Sequence, residues 1–183
     1  FDAYGSSINL ADYSIPGIWG LVTFTVFGII ITIILQSSSA SMALILTALA
    51  AGQIMYPNAL AMAIGANIGT TVTAILGAAS SNIAGKRLAG AHFIFNLITG
   101  ILALIFIVPL GIFVNYIASG FGVTADNYTI KLSIFHTLFN LIGIIIMVPL
   151  IDRLINFLNR IFIEKEDKRI EQPYFLNESV LAF

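Results

Sequence analysis

Long apolar segments alternate with short polar ones along this chain, and most of the apolar segments are long enough to cross a membrane. The apolar runs cover residues 18–51, 59–79, 88–108 and 130–150. A membrane-spanning helix needs about 20 mainly apolar residues. The pattern therefore predicts an all-α, polytopic helical membrane protein.

The distribution of charge strengthens this prediction. No Asp, Glu, Lys or Arg occurs in the 73 residues 13–85, in the 38 residues 88–125 or in the 20 residues 132–151. Only 9% of the 183 residues are charged, against about 25% in a typical soluble domain. These values exclude an ordinary soluble domain. The net charge of -1 provides no basic surface for nucleic acid, so we expect no nucleic-acid partner.

The polar segments divide the chain into three regions. We predict an external N-terminal segment over 1–17, a transmembrane region over 18–151 and a charged cytoplasmic tail or linker over 152–183. Lys and Arg favour the cytoplasmic side of a membrane, and none precedes Lys86. We therefore predict that Lys86, Arg87 and the tail are cytoplasmic and that the N-terminus is outside. Lys131 is a single contrary residue, because it falls on the predicted outer side.

A polar cluster, Gln36-Ser37-Ser38-Ser39-Ala40-Ser41, interrupts the first apolar run. The run from 18 to 51 has 34 residues, fewer than the roughly 40 that two spans need. We interpret it as a re-entrant helical hairpin with the cluster at its tip. Two short spans, or a polar bend or external loop, are the alternatives. At such a tip one half-helix ends in free carbonyls that suit a small cation, and the next begins with N–H groups that bind anions.

The second run contains Gly65-Ala66-Asn67-Ile68-Gly69-Thr70-Thr71. Two glycines and an asparagine at mid-membrane depth predict an unwound point, and hence a broken transmembrane helix. Side-chain oxygens of Asn67, Thr70 and Thr71 suit a hard cation such as sodium. The alternative is a GxxxG packing face formed by Gly65 and Gly69, with the threonines bonded to their own backbone.

One heptapeptide pattern, HxxFNLI, occurs twice, with His92 and Asn96 in the first copy and His136 and Asn140 in the second. Both copies lie in predicted spans, so we predict structural, helix-packing roles for these residues. No enzymatic site is expected. The chain has no cysteine, and no Gly-x-Ser-x-Gly elbow presents Ser39 as a nucleophile.

Three segments, Gln36–Ser41, Gly65–Thr71 and Ala91–Asn96, resemble in order and spacing the type II sodium/phosphate cotransporter family, especially its bacterial members. The resemblance covers roughly 18–160. It implies a transporter of two inverted repeats, each with a QSSS hairpin and a GxNIGTT-like helix. This chain shows the set once, so we expect a piece that holds the C-terminal transport repeat. Residues 172–179 resemble the linker to a PhoU-like helical domain.

The resemblance implies sodium-coupled symport of inorganic phosphate across the bacterial inner membrane, with Na+ as the coupling ion. Expected partners are phosphate, sodium, the lipid bilayer and the missing first repeat. A carrier of another small oxyanion and a structural membrane module without transport are the alternatives. The residues implied for phosphate are Gln36, Ser37, Ser38 and Ser39. Those implied for sodium are Ser38, Ser39, Asn67, Thr70 and Thr71.

Overall fold

The computed structural model describes residues 17–163, and the regular structure within them is entirely helical. The predictions for residues 1–16 and 164–183 lie outside the described residues. Four stretches, Ile18–Leu35, Tyr56–Ala78, Ile83–Ile105 and Tyr128–Ile161, are long and apolar enough to cross a membrane. The prediction of an all-α polytopic membrane protein is therefore confirmed. The helices are α1 (Ile18–Leu35), α2 (Ser38–Ala50), α3 (Tyr56–Ala78), α4 (Ile83–Ile105), α5 (Ile107–Gly120), α6 (Tyr128–Met147), a 3-10 turn (Val148–Leu150) and α7 (Ile151–Ile161).

Helices α1 and α2 are separated by two residues, Gln36 and Ser37. The Thr32 hydroxyl donates a hydrogen bond to the Ser41 hydroxyl across this turn, at 2.9 Å. Helix α2 has only 13 residues, which at 1.5 Å per residue is about 20 Å and too short for a hydrocarbon core of about 30 Å. Helices α1 and α2 thus form a helical hairpin in which α1 is long enough to cross a membrane and α2 is not.

Helix α3 is the most buried helix of the bundle, and α1 packs closely against it. A Cβ atom added at Gly65 would collide with the Thr25 carbonyl, and one at Gly28 would collide with the Met62 carbonyl. A Cβ atom on Gly69 would lie 2.8 Å from the α1 backbone. The two backbones are therefore in direct contact, as small residues permit in membrane helices.

The predicted break in the second span is wrong, because α3 runs without interruption from Tyr56 to Ala78. A glycine inside a helix costs only about 1 kcal/mol relative to alanine. Here Gly65 and Gly69 serve close helix packing instead of unwinding. The Thr70 and Thr71 hydroxyls donate to carbonyls of their own helix, both at 2.6 Å. The GxxxG alternative describes this segment.

The bounds of the third span also differ from the prediction. Helix α4 begins at Ile83, where the Asn82 side chain accepts a hydrogen bond from the backbone N–H of Gly85 at 3.0 Å. The predicted start at residue 88 did not take this cap into account. Because the helix begins at Ile83, Lys86 lies inside it. The helical path breaks at Phe106 instead of Pro109. Pro109 lies in the first turn of α5, where proline is tolerated.

Helix α6 runs antiparallel to α4 and extends into α7. A Cβ atom on Gly143 of α6 would contact the Thr99 side chain of α4, and one on Gly90 of α4 would contact Leu158 of α7. On its other side α4 packs on α3, where a Cβ atom on Gly100 would lie 2.8 Å from the Ile68 side chain. Helix α3 thus lies between the hairpin and the α4–α6 pair.

We predict that Gly65→Ala destabilises the protein and that Gly77→Ala, on the same helix, does not. The new methyl group at Gly65 meets the Thr25 carbonyl, whereas a Cβ atom on Gly77 meets nothing within 4 Å. Overpacking costs about 1–3 kcal/mol. Thermal unfolding in detergent should show a lower Tm for Gly65→Ala only. Equal Tm values for the two variants would contradict the close contact of α1 and α3.

Candidate functional site

The hairpin tip reverses the chain within two residues. Gln36 adopts a left-handed conformation with φ of 51°, and its N–H donates to the Thr32 carbonyl at 2.8 Å. A positive φ is uncommon for a residue other than glycine. Ser37 is extended and caps α2, because its hydroxyl accepts a hydrogen bond from the Ala40 N–H at 3.2 Å. Helix α2 therefore begins at Ser38, immediately after the turn.

Several polar side chains at this tip have no hydrogen-bond partner among the described residues. Among residues 17–163, no hydrogen bond is made by the side chains of Gln36, Ser38 or Ser39. The first N–H groups of a helix lack an intrahelical acceptor, and the helix dipole gives them a partial positive charge. The last carbonyls of α1 are likewise free of intrahelical donors. The tip therefore presents N–H and hydroxyl groups suited to an anion beside carbonyl oxygens suited to a cation.

A hydrogen bond between two buried hydroxyl groups, those of Thr32 and Ser41, joins α1 to α2 next to the tip. Ser41 accepts the hydrogen bond from Thr32 and donates to the Ser37 carbonyl at 2.9 Å. Both Thr32 and Ser41 are fully buried. Thr32 was not predicted to be part of this arrangement. The signal in the sequence is a polar residue one helical turn before the serine cluster, in a run whose other polar residues are Thr23 and Thr25.

The end of α1, just before the serine cluster, packs on the segment of α3 that contains Gly69. A Cβ atom on Gly69 would lie 2.8 Å from the Cβ atom of Thr32, and the tip follows Thr32 by one helical turn. Thr70, the residue after Gly69, therefore lies near the end of α1, whereas Thr71 is four residues after Asn67 and shares the face of Asn67. The hydroxyl protons of Thr70 and Thr71 are used within α3, but each oxygen keeps lone pairs for a further partner.

Asn67 lies elsewhere, because at 100° per residue it is on the face of α3 opposite to Gly65 and Gly69. Its side-chain N–H donates to the Asn140 side-chain oxygen at 2.7 Å. Its Oδ1 lies 3.1 Å from His136 Nε2. The structure thus joins Asn67, predicted for sodium, to two α6 residues predicted to be structural. It does not bring Asn67 to the hairpin tip.

The two copies of the HxxFNLI pattern share one local feature. The Asn96 side chain donates to the His92 carbonyl at 3.0 Å, and the Asn140 side chain donates to the His136 carbonyl at 2.7 Å. In both copies of the pattern, on α4 and on α6, the asparagine side chain therefore donates to the carbonyl four residues earlier. In the second copy the asparagine also receives the bond from α3.

The geometry is that of a polytopic helical membrane protein in which an uncharged polar turn separates α1 from α2. Residues 21–163 match the family described as Na+/Pi-cotransporter. The chain belongs to the Na+/Pi-cotransporter family, which is a family of transporters and not of enzymes. The resemblance seen in the sequence is confirmed. No solved structure matches the chain.

Curated relatives are bacterial and longer than this chain. The "Putative inorganic phosphate export protein YjbB" of Escherichia coli K12 is 30% identical over 155 residues, which are 84% of this chain and 27% of the relative. The protein of the same name in Salmonella typhimurium is 33% identical over 134 residues, 73% of this chain and 23% of the relative. "Uncharacterized protein YqeW" of Bacillus subtilis is 30% identical over 123 residues, 67% and 38% of the two chains. The chain spans about a quarter of the YjbB proteins.

We predict that Asn140→Ala lowers thermal stability, because it leaves the Asn67 N–H without its acceptor inside the bundle. A lost hydrogen bond between membrane helices costs about 0.6 kcal/mol on average and up to about 1.7. Thr137→Ala is the matched control, since Thr137 is exposed on the same helix and bonds only to the Ser133 carbonyl. An Asn140→Ala melting temperature equal to that of the control would show that the contact adds no stability.

Proposed function

We propose that this chain forms one repeat of a sodium-coupled inorganic phosphate symporter in the bacterial inner membrane. The observation that carries the proposal is the hairpin tip, where an uncharged serine cluster separates two apolar helices. Family membership supports transport, and the printed name of the YjbB relatives supports phosphate as the substrate. The chain covers about a quarter of those relatives, which supports a second repeat elsewhere in the complete transporter.

Phosphate binding is assigned to Gln36, Ser37, Ser38 and Ser39. The Ser38 and Ser39 hydroxyls and the first N–H groups of α2 would donate to phosphate oxygens, as helix N-termini do for anions. The Ser37 hydroxyl, which already accepts the Ala40 N–H, would hold the start of α2 in place. No Lys or Arg lies between residues 1 and 85. The charge of phosphate would therefore be met by peptide dipoles, hydroxyl groups and co-bound sodium.

Sodium binding is assigned to oxygens on both sides of the α1–α3 contact. Sodium prefers oxygen ligands. The Ser38, Ser39 and Thr70 hydroxyl oxygens, with the terminal carbonyls of α1, supply this chemistry. Thr71 and Asn67 share another face of α3, so they would join the set only if the ion reached that face, with Asn67 exchanging its contact with His136 for the ion. Because residues 1–85 of this chain bring no Lys or Arg to the anion, co-bound sodium would supply positive charge beside it.

The proposed orientation follows from the basic residues. The start of α1 and the α2–α3 connection face outside, and the α3–α4 connection and α7 face the cytoplasm. Lys86, Arg87, Arg153 and Arg160 then lie at the cytoplasmic end, in agreement with the preference of basic residues for that side. The hairpin opens to the outside, with its tip within the membrane.

We predict that Ser38→Ala impairs sodium-dependent phosphate transport by the complete protein reconstituted in liposomes. A hydrogen bond to a charged group contributes about 1.5–3 kcal/mol, so we expect a loss of roughly tenfold or more in apparent phosphate affinity. Labelled phosphate should be measured in both directions, with and without a sodium gradient. Sulfate as a competitor tests the alternative of another oxyanion.

Thr47→Ala is the matched control for this experiment. Thr47 is exposed on α2, and its hydroxyl donates only to the Ala43 carbonyl at 2.8 Å. Its removal should leave transport unchanged. Wild-type transport by Ser38→Ala, Ser39→Ala and Thr70→Ala variants that fold normally would refute the proposed site. Phosphate transport that ignores the sodium gradient would refute the coupling.

A further inference from the structure

A polar cavity lies at the opposite end of α3 from the α3–α4 connection, away from the hairpin tip. Its volume is about 590 Å³. It is bounded by the first turns of α3 and α6, the end of α5 and the segment that joins α5 to α6. On the proposed orientation this is the outer end of the bundle. The residues that line it are Tyr56, Asn115, Ser119, Val123, Ala125, Tyr128 and Lys131.

Lys131 brings a buried positive charge to this cavity. Its side chain is only 7% exposed. Its Nζ donates to the Ala125 carbonyl at 2.6 Å and lies 5.5 Å from the centre of the Tyr128 ring. An ammonium group has three donors, and these contacts engage one of them in a hydrogen bond. Two donors therefore remain without an acceptor among the described residues.

The charge of Lys131 also lacks an ion-pair partner in the part of the chain that the structure describes. Asp126 is the acidic residue nearest in sequence, and it is fully exposed. A hydrogen bond from the Thr124 side chain, more than the charge of Lys131, lowers the pKa of Asp126. A buried charge without a partner is costly, because desolvation is not offset by an ion pair. An anion in the cavity would supply that partner.

Tyr56 provides a second, independent observation. Its hydroxyl oxygen is buried and makes no hydrogen bond with any described residue. A buried polar group without a partner costs about 1–3 kcal/mol. The Tyr56 ring packs on the Tyr128 ring, with centres 5.1 Å apart, and both residues line the cavity together with Lys131.

We propose that this cavity binds a phosphate-type oxyanion, which Lys131 neutralises and the Tyr56 hydroxyl helps to hold. Several acceptor oxygens on one small anion match the free donors of the ammonium and hydroxyl groups. Free inorganic phosphate and the headgroup phosphate of an anionic lipid share this chemistry. The site is separate from the hairpin, and it also gives the one basic residue on the outer side a role.

We predict that Lys131→Gln weakens sodium-free phosphate binding by tenfold or more. The complete protein in phosphatidylcholine nanodiscs is titrated with inorganic phosphate without sodium, by calorimetry, so that the sodium-dependent hairpin site does not contribute. Tyr56→Phe should weaken binding several-fold. Lys86→Gln is the matched control, because it removes one positive charge from the other end of the bundle and should bind like the wild type.

A second experiment distinguishes a lipid headgroup from free inorganic phosphate as the ligand of the cavity. Native mass spectrometry measures how much phosphatidylglycerol stays bound to each variant. Loss of lipid from Lys131→Gln and Tyr56→Phe, without an effect on inorganic phosphate, supports the site with a lipid headgroup as occupant. Unchanged binding of both ligands in both variants overturns the proposal.

The two variants distinguish a loss of folding from a loss of ligand binding. If Lys131→Gln does not fold, Tyr56→Phe decides, because the hydroxyl that it removes has no hydrogen bond within residues 17–163. The proposed cavity site and the proposed transport function can be refuted separately. Normal Tyr56→Phe and Lys131→Gln binding, together with loss of transport in Ser38→Ala, would reject the cavity site and leave the proposed function standing.

Discussion

Direct contact between the backbones of α1 and α3 determines where the polar groups of this protein lie. Lipid supplies no hydrophobic force between membrane helices, so their association depends on close packing and on hydrogen bonds. Gly28, Gly65 and Gly69 remove the side chains that would separate the two helices. Because Thr32 lies against Gly69, the turn that follows it is held beside α3. The serine cluster therefore has a fixed neighbour.

Most buried polar side chains of the bundle are satisfied by neighbours. Ser41 bonds to two partners at the hairpin turn, and Asn67 bonds to α6. Within the described residues, unpaired polar groups include those at the tip around Ser38, those at the cavity around Lys131 and Tyr56, and the buried Asn58 side-chain N–H group. Polar groups inside a membrane protein are costly and mark functional sites. Ligands are proposed at the tip and at the cavity, where several such groups lie together.

The sequence predicted the helices well because the length of an apolar run is a direct physical requirement of the bilayer. The predictions from sequence were wrong where one residue type fits two different local structures. Gly65 can loosen a helix or let another helix approach, and the Thr25 carbonyl of α1, which lies against Gly65, decides between them. Pro109 can end a helix or occupy its first turn. The partner of Asn67 is Asn140, 73 residues further along the chain, and such a long-range contact leaves no local signal.

We propose that the hairpin tip holds phosphate together with sodium inside the membrane. This is tested by Ala40→Cys, at an exposed position of the tip, in the complete protein without other cysteines, through its labelling by a membrane-impermeant thiol reagent. We expect slower labelling when sodium and phosphate are both present than with either alone. Labelling at the same rate with and without both ions would contradict it.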